Sequence, residues 1–122
     1  CAPAAGQMAA AYAFRHMPGV RQMRAVYEAR RDLLTDGLNA IPGISCRKPD
    51  GAFYAFPSIR ETGLTSLEFC DRLLTEQHVA VIPGSSFGSC GEGYVRIAYS
   101  NSEDALTEAL RRIRAFAASV LS

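Results

Sequence analysis

Apolar residues recur along this chain at two different spacings, and the switch between them marks out its elements. Met23, Val26, Tyr27, Leu33, Leu34 and Leu38 return every three or four residues, with Arg21, Arg24, Arg30, Arg31 and Asp32 on the other faces. That is the stripe of an amphipathic helix. It runs to about Ala40, where Ile41-Pro42-Gly43 stops it. Ahead of it, Pro3 to about Met17 is rich in Ala, Gln, Met and aromatic residues, a helix-forming composition ended by Met17-Pro18-Gly19. This first helix is apolar on too many sides to stand alone.

Shorter apolar runs follow. Ile44 to Arg47 and Ala52 to Pro57 read as strands joined by Lys48-Pro49-Asp50-Gly51, where proline fixes φ and glycine permits a tight reversal, so a hairpin is expected. Thr65 or Ser66 caps a third helix carrying Leu67, Phe69, Cys70, Leu73 and Leu74, with Glu68 placed as a capping-box acid, and the helix ends near Gln77. Val79-Ala80-Val81-Ile82 is a compact strand stopped by Pro83-Gly84, and a glycine-rich stretch leads to the strand Gly93 to Ser100. Asn101 or Ser102 caps a last helix, striped by Ala105, Leu106, Ala109, Leu110, Ile113, Phe116 and Ala117. After two introductory helices the order is β-β-α-β-β-α. This predicts an α/β fold, an α+β two-layer sandwich in which a small mixed sheet is covered by helices.

Composition narrows the function classes. The 122 residues, 48% of them apolar, suit one soluble domain, and 13 basic against 12 acidic residues leave a net charge of +1 with no basic face or acidic tail. Nucleic acid and membrane lipid are therefore not expected partners. No run approaches the roughly 18 apolar residues of a membrane helix, and the Ala-rich start lacks the basic segment of a signal peptide, so the expected location is cytoplasmic. Cys1, Cys46, Cys70 and Cys90 are widely separated, without a C-x-x-C pair. They read as free thiols, Cys46 and Cys70 as small hydrophobes, Cys90 as the more exposed. His16 and His78 stand alone and suit solvent-facing or capping roles. No metal ligand and no catalytic residue is assigned.

The chemistry centres on Arg96, a guanidinium embedded in the half-buried strand pattern Gly93-Tyr94-Val95-Arg96-Ile97-Ala98-Tyr99-Ser100. A rigidly held planar fork suits bidentate recognition of a carboxylate, and burying it without an anion is costly. The anion is either an Asp or Glu elsewhere in the fold or a carboxylate on a ligand. The preceding stretch, Pro83 to Gly93, carries neither the Walker pattern nor the dinucleotide fingerprint and leads to a strand, so phosphate is a poor fit. Phe87, an aromatic among glycines, either plugs the core or lines a pocket.

Three motifs in order carry a family resemblance: Lys-Pro-Asp-Gly-Ala-Phe-Tyr-Ala-Phe-Pro at 48 to 57, Val-Ala-Val-Ile-Pro-Gly-Ser-Ser-Phe-Gly at 79 to 88, and Gly-Tyr-Val-Arg-Ile-Ala-Tyr-Ser-Asn-Ser at 93 to 102. Across most of residues 20 to 119 the chain resembles the C-terminal small domain of fold-type I, class I/II aminotransferases, nearest the bacterial aspartate and aromatic aminotransferase-like branch. The resemblance implies that Arg96 binds the substrate α-carboxylate and that the Pro83 to Gly88 loop, with Phe87, lies by the substrate pocket. It implies residues 1–19 as a lead-in helix from a large domain absent from this chain, in keeping with a start at Cys1 that looks cut, and residues 20–122 as the small domain. It further implies amino acid and 2-oxo acid substrates, a homodimer as full-length enzyme, and pyridoxal 5′-phosphate carried on a large-domain lysine. The only lysine here, Lys48, lies in the hairpin turn and is not expected to form that Schiff base. The isolated chain is expected to be inactive. The alternative is an independent, noncatalytic amino-acid-binding or regulatory α/β module.

Overall fold

The first helix forms where its composition places it but buries nothing. In the computed structural model, which describes residues 1–122, α1 spans Ala4–Arg15 with Met8 74% and Phe14 80% exposed. Helix α2, Pro18–Asn39, begins with proline in its first turn, where the missing N–H has no intrahelical partner to lose. Its apolar stripe divides: Val20, Met23 and Val26 are exposed, while Leu34, Thr35 and Leu38 are buried. Only the second half of α2 enters the core.

The next two helices begin at the predicted caps. Helix α3, Ser66–Gln77, opens with a capping box in which Thr65 Oγ1 accepts from the Glu68 N–H at 3.2 Å and the Glu68 carboxylate accepts from the Thr65 N–H at 3.0 Å. It closes at His78, whose left-handed backbone (φ 56°) directs its own N–H to Leu74 O and the Val79 N–H to Leu73 O. Helix α4, Glu103–Leu121, opens on Ser102, whose hydroxyl accepts from the Ala105 N–H at 3.2 Å.

Three short strands, β1 (Tyr54–Ala55), β2 (Ile82–Pro83) and β3 (Val95–Ala98), form a sheet in the order β1-β3-β2. The α/β class with a small helix-covered sheet is as expected, but both pairings are antiparallel where a mixed sheet was expected. The cause is β3. The α3 crossover sets β1 and β2 running the same way, and β3, reversed by the glycine loop, lies between them. The expected Ile44 to Arg47 strand is reduced to one bridge between Ser45 and Ser58. Asn39, the last residue of α2, takes over the Cys46 backbone, donating Nδ2 to Cys46 O at 2.9 Å and accepting the Cys46 N–H at 2.8 Å. Both groups a ladder would use are thereby spent. Val79 and Val81 pack against the core from extended chain, and pairing begins only at Ile82.

The core fills the space between the helices and one face of the sheet. Leu34 and Leu38 from α2, Phe69 and Leu73 from α3, and Leu106, Ile113 and Phe116 from α4 meet Ala55, Val95 and Ile97. Phe69 and Phe116 lie edge to face at 5.2 Å. Each such buried side chain contributes about 1.5–3 kcal/mol relative to exposure, which anchors the sheet and leaves its other face free to carry chemistry.

Candidate functional site: the outer face of the sheet

Strand alternation sorts β3 into two sets. Val95 and Ile97 turn inward and are buried, so Arg96 and Ala98 turn outward with Tyr94. The register sets Ile82 of β2 against Arg96 and Tyr54 of β1 against Ala98, and its continuation puts Phe56 across from Arg96. The guanidinium therefore rises from the middle of an apolar and aromatic surface.

No acid of the chain meets it there. None of the seven ion pairs in the structure includes Arg96, and no protein acceptor takes its N–H groups. It is held instead between rings, with its central carbon 4.4 Å from the Tyr54 centroid and 4.6 Å from that of Phe87. Of the two partners the sequence allowed, the intramolecular Asp or Glu is absent. Guanidinium–ring contacts contribute about 0.5–1 kcal/mol each at exposed sites and leave the fork's in-plane donors available.

Phe87 does not plug the core. It is 53% exposed, covers Arg96 and meets Phe56 edge-on at 6.2 Å. Phe56 in turn stacks on Tyr94 at 5.4 Å, and Arg60 lies over the other end of the row, 4.8 Å from Tyr94.

The loop that delivers Phe87 is compact. Two 3-10 turns, Gly84–Phe87 and Ser89–Gly91, double back so that Gly84 and Gly91 touch through their backbones, and a Cβ on either would strike the other's carbonyl oxygen. The Gly84 N–H donates to Tyr94 O at 2.8 Å, closing the loop onto β3. At its far end Glu92 accepts from the Ser66 N–H at 2.7 Å, from Ser66 Oγ at 2.8 Å and from the Gly93 N–H at 3.1 Å. Those donors, Ser66 first, hold its carboxyl below the usual carboxylate range.

The remaining chemically capable residues serve the scaffold. Lys48 Nζ lies 3.0 Å from Asp32, which also accepts from Arg31 Nε at 2.9 Å, so the lone lysine fastens residues 48–51 to α2; the expected hairpin does not form there, because Ser45 bridges Ser58 and β1 pairs with β3. Arg31 and then Lys48 draw the Asp32 carboxyl down. Cys46 and Cys70 are buried, and burial pushes both thiols up, Cys70 to about 11; Cys1 and Cys90 are exposed. His16 is on the surface with Nδ1 3.1 Å from Tyr12 O, and His78 closes α3. No group of three or more His, Cys, Asp or Glu is placed to hold a metal ion, and no helix is long and apolar enough to cross a membrane. Arg96 and Phe87 stand out in the sequence, whereas Tyr54 is only one residue of the expected Ala52 to Pro57 strand. Strict alternation from Ala55 was the signal that could have put Tyr54 and Phe56 on the arginine's face. Glu92, 26 residues from Ser66, left no local signal.

The fold recurs in proteins of known family. A family model described as aminotransferase class I and II matches residues 1–113. The aspartate aminotransferase of Pyrococcus abyssi is 49% identical over 110 residues, and aromatic-amino-acid aminotransferase 2 of Thermococcus litoralis 47% over 110; each match covers 88% of this chain and 28% of the relative. The crystal structure of an aromatic aminotransferase from Pyrococcus horikoshii superposes with a TM-score of 0.82 at 47% identity, over 86% of this chain and 28% of that one. The chain thus spans less than a third of the length of these relatives. With its fold, its motif order and the family match all in agreement, the chain belongs to the class I and II aminotransferases.

Proposed function

We propose that this chain is the small domain of a pyridoxal-phosphate-dependent aminotransferase, in which Arg96 binds the α-carboxylate shared by amino acid and 2-oxo acid substrates. The observation that carries the reading is an outward arginine with no acidic partner, fixed between the Tyr54 and Phe87 rings. A carboxylate meeting the free edge of that fork gains two charge-assisted hydrogen bonds, and the flanking rings restrict the angle at which it arrives. Phe87 would then cover one side of the bound substrate.

Residues 20–122 form the small domain in this reading, and residues 1–19 lead in from a large domain that covers the exposed apolar face of α1. The relatives' greater length supports this. The enzyme would work in the cytoplasm as a homodimer. The residues present here do not fit a pyridoxal phosphate anchor, because Lys48 is committed to Asp32. The cofactor belongs with the large domain. A noncatalytic binding module would use Arg96 similarly but gives the bare α1 face no purpose.

The test is transamination by the whole enzyme. Arg96→Ala is expected to lower kcat/KM for the amino acid about 10- to 100-fold, the worth of hydrogen bonds to a charged group. Arg96→Lys should restore only part of it, since a point charge replaces a fork. The 122-residue chain alone should not transaminate. Unchanged kinetics in Arg96→Ala, or turnover by the isolated chain, would overturn the proposal.

A further inference from the structure

Phe87 can define the carboxylate site only if its loop is held still, and a half-exposed ring on a glycine-rich segment does not hold itself. The restraint lies at the start of α3. Ser66 is fully buried, and its hydroxyl is within hydrogen-bond distance of both Glu92 Oε2 (2.8 Å) and Ser85 Oγ (2.9 Å). A hydroxyl has one proton to give. The stronger, charge-assisted bond is to the carboxylate, so Ser66 donates to Glu92 and accepts from Ser85. The Ser66 backbone N–H, one of the four a helix start leaves unpaired, goes to Glu92 Oε1 at 2.7 Å, and the negative charge is well placed at the positive end of α3. Ser85 precedes Phe87 by two residues and Glu92 follows it by five, so the loop is pinned on both sides of the ring to a helix of the core.

We infer that Glu92, acting through Ser66 and Ser85, is a positioning residue that holds Phe87 on the Arg96 guanidinium and so sets the affinity of the carboxylate site. The inference rests on the reading of Arg96 as that site. Neither Glu92 nor the two serines touches Arg96; they act by fixing the ring. Replacing Glu92 with alanine removes both carboxylate oxygens and so takes the acceptor from the Ser66 N–H, the Ser66 hydroxyl and the Gly93 N–H together. The pins fail while the Gly84 to Tyr94 bond still closes the loop.

The experiment uses the 122-residue chain with sodium acetate as the carboxylate probe, followed by NMR at the Arg96 Nε–H. Ring-to-guanidinium contacts between Phe87 and Arg96 are recorded without ligand. Glu92→Ala is expected to lose those contacts and to weaken acetate about 3- to 10-fold, a cost of lost pre-organisation. Ser85→Ala, which removes one pin, should do less of both. In a Phe87→Ala background Glu92→Ala should change affinity by less than about 1.5-fold, because the residue it positions is gone. An equal loss in both backgrounds, or Phe87 contacts that survive Glu92→Ala, overturns the inference. Unshifted methyl resonances of Leu34 and Ile113 identify variants that keep the core. Should the unaltered chain ignore acetate while Glu92→Ala still frees Phe87, the carboxylate reading falls and the positioning role stands.

Discussion

Ala52 and Glu108 sit in a conformation and a charge state that the chain has to sustain. Ala52 adopts φ 61° without being glycine. Left-handed backbone costs an L-residue about 1–2 kcal/mol, and here it is sustained by the Tyr99 hydroxyl, which donates to Ala52 O at 3.0 Å, and by the Tyr99 N–H, which donates to Phe53 O at 2.9 Å. That kink turns the chain into β1 and brings Tyr54 under Arg96. Ala52→Gly removes the strain but loosens the unfolded chain by about 0.4–1 kcal/mol, so urea denaturation should show a net gain of up to about 1 kcal/mol. A clear loss would mean that the methyl group is needed. Glu108 is the second case. Arg111 and then Arg112 hydrogen-bond its carboxylate and hold it down to about 2, and Arg112 also donates to Gln77 O at 3.1 Å, linking α4 to the end of α3. A depressed carboxyl contributes stability above its ordinary value near 4.5 and loses it as pH falls toward 2. Acid unfolding of Glu108→Gln should therefore be less steep across that window at low salt. The difference should shrink at high salt, since the pair is solvent-exposed and screened.

At the scale of elements, what could be read in advance was what is decided within a few residues. Thr65 with Glu68, and Ser102 with Ala105, are caps whose partners lie three positions away, and helices α3 and α4 begin where those residues put them. The Pro83 to Gly93 break and the outward side of β3 were legible for the same reason. The strand at Ile44 to Arg47 was not, because the side chain that cancels it comes from the end of a preceding helix. Nor was the Ser66 to Glu92 pairing, which only the closed fold creates. Asn39 is thus a residue with a structural role no periodicity reveals: it satisfies the Cys46 backbone in both directions. Asn39→Ala leaves both groups without a partner near a buried residue and should cost about 1–3 kcal/mol in urea denaturation. Cys46, buried beside them, should become alkylated faster as the segment loosens. Unchanged stability would show that water replaces Asn39 without loss.

The whole molecule is divided between a part that folds itself and a part that waits for cover. Every residue of the 17-member core lies between Leu34 and Ala117, and α1 adds none. Along α1 and the first half of α2, Met8, Tyr12, Phe14, Met17, Val20, Met23 and Val26 are all exposed, which is more clustered apolar surface than a soluble monomer usually shows. A surface that contributes nothing to the core but is this apolar should drive association between copies when nothing else covers it. Sedimentation of the 122-residue chain should show mass rising with concentration, and deleting residues 1–16 should weaken the rise, since Met17, Val20, Met23 and Val26 remain exposed. The same deletion should leave the stability of the core in urea nearly unchanged, within about 0.5 kcal/mol, because no buried residue is removed. A chain that stays monomeric at high concentration would count against the exposed face as a cohesive surface. A deletion that destabilises the core would show that α1 folds back onto its own domain.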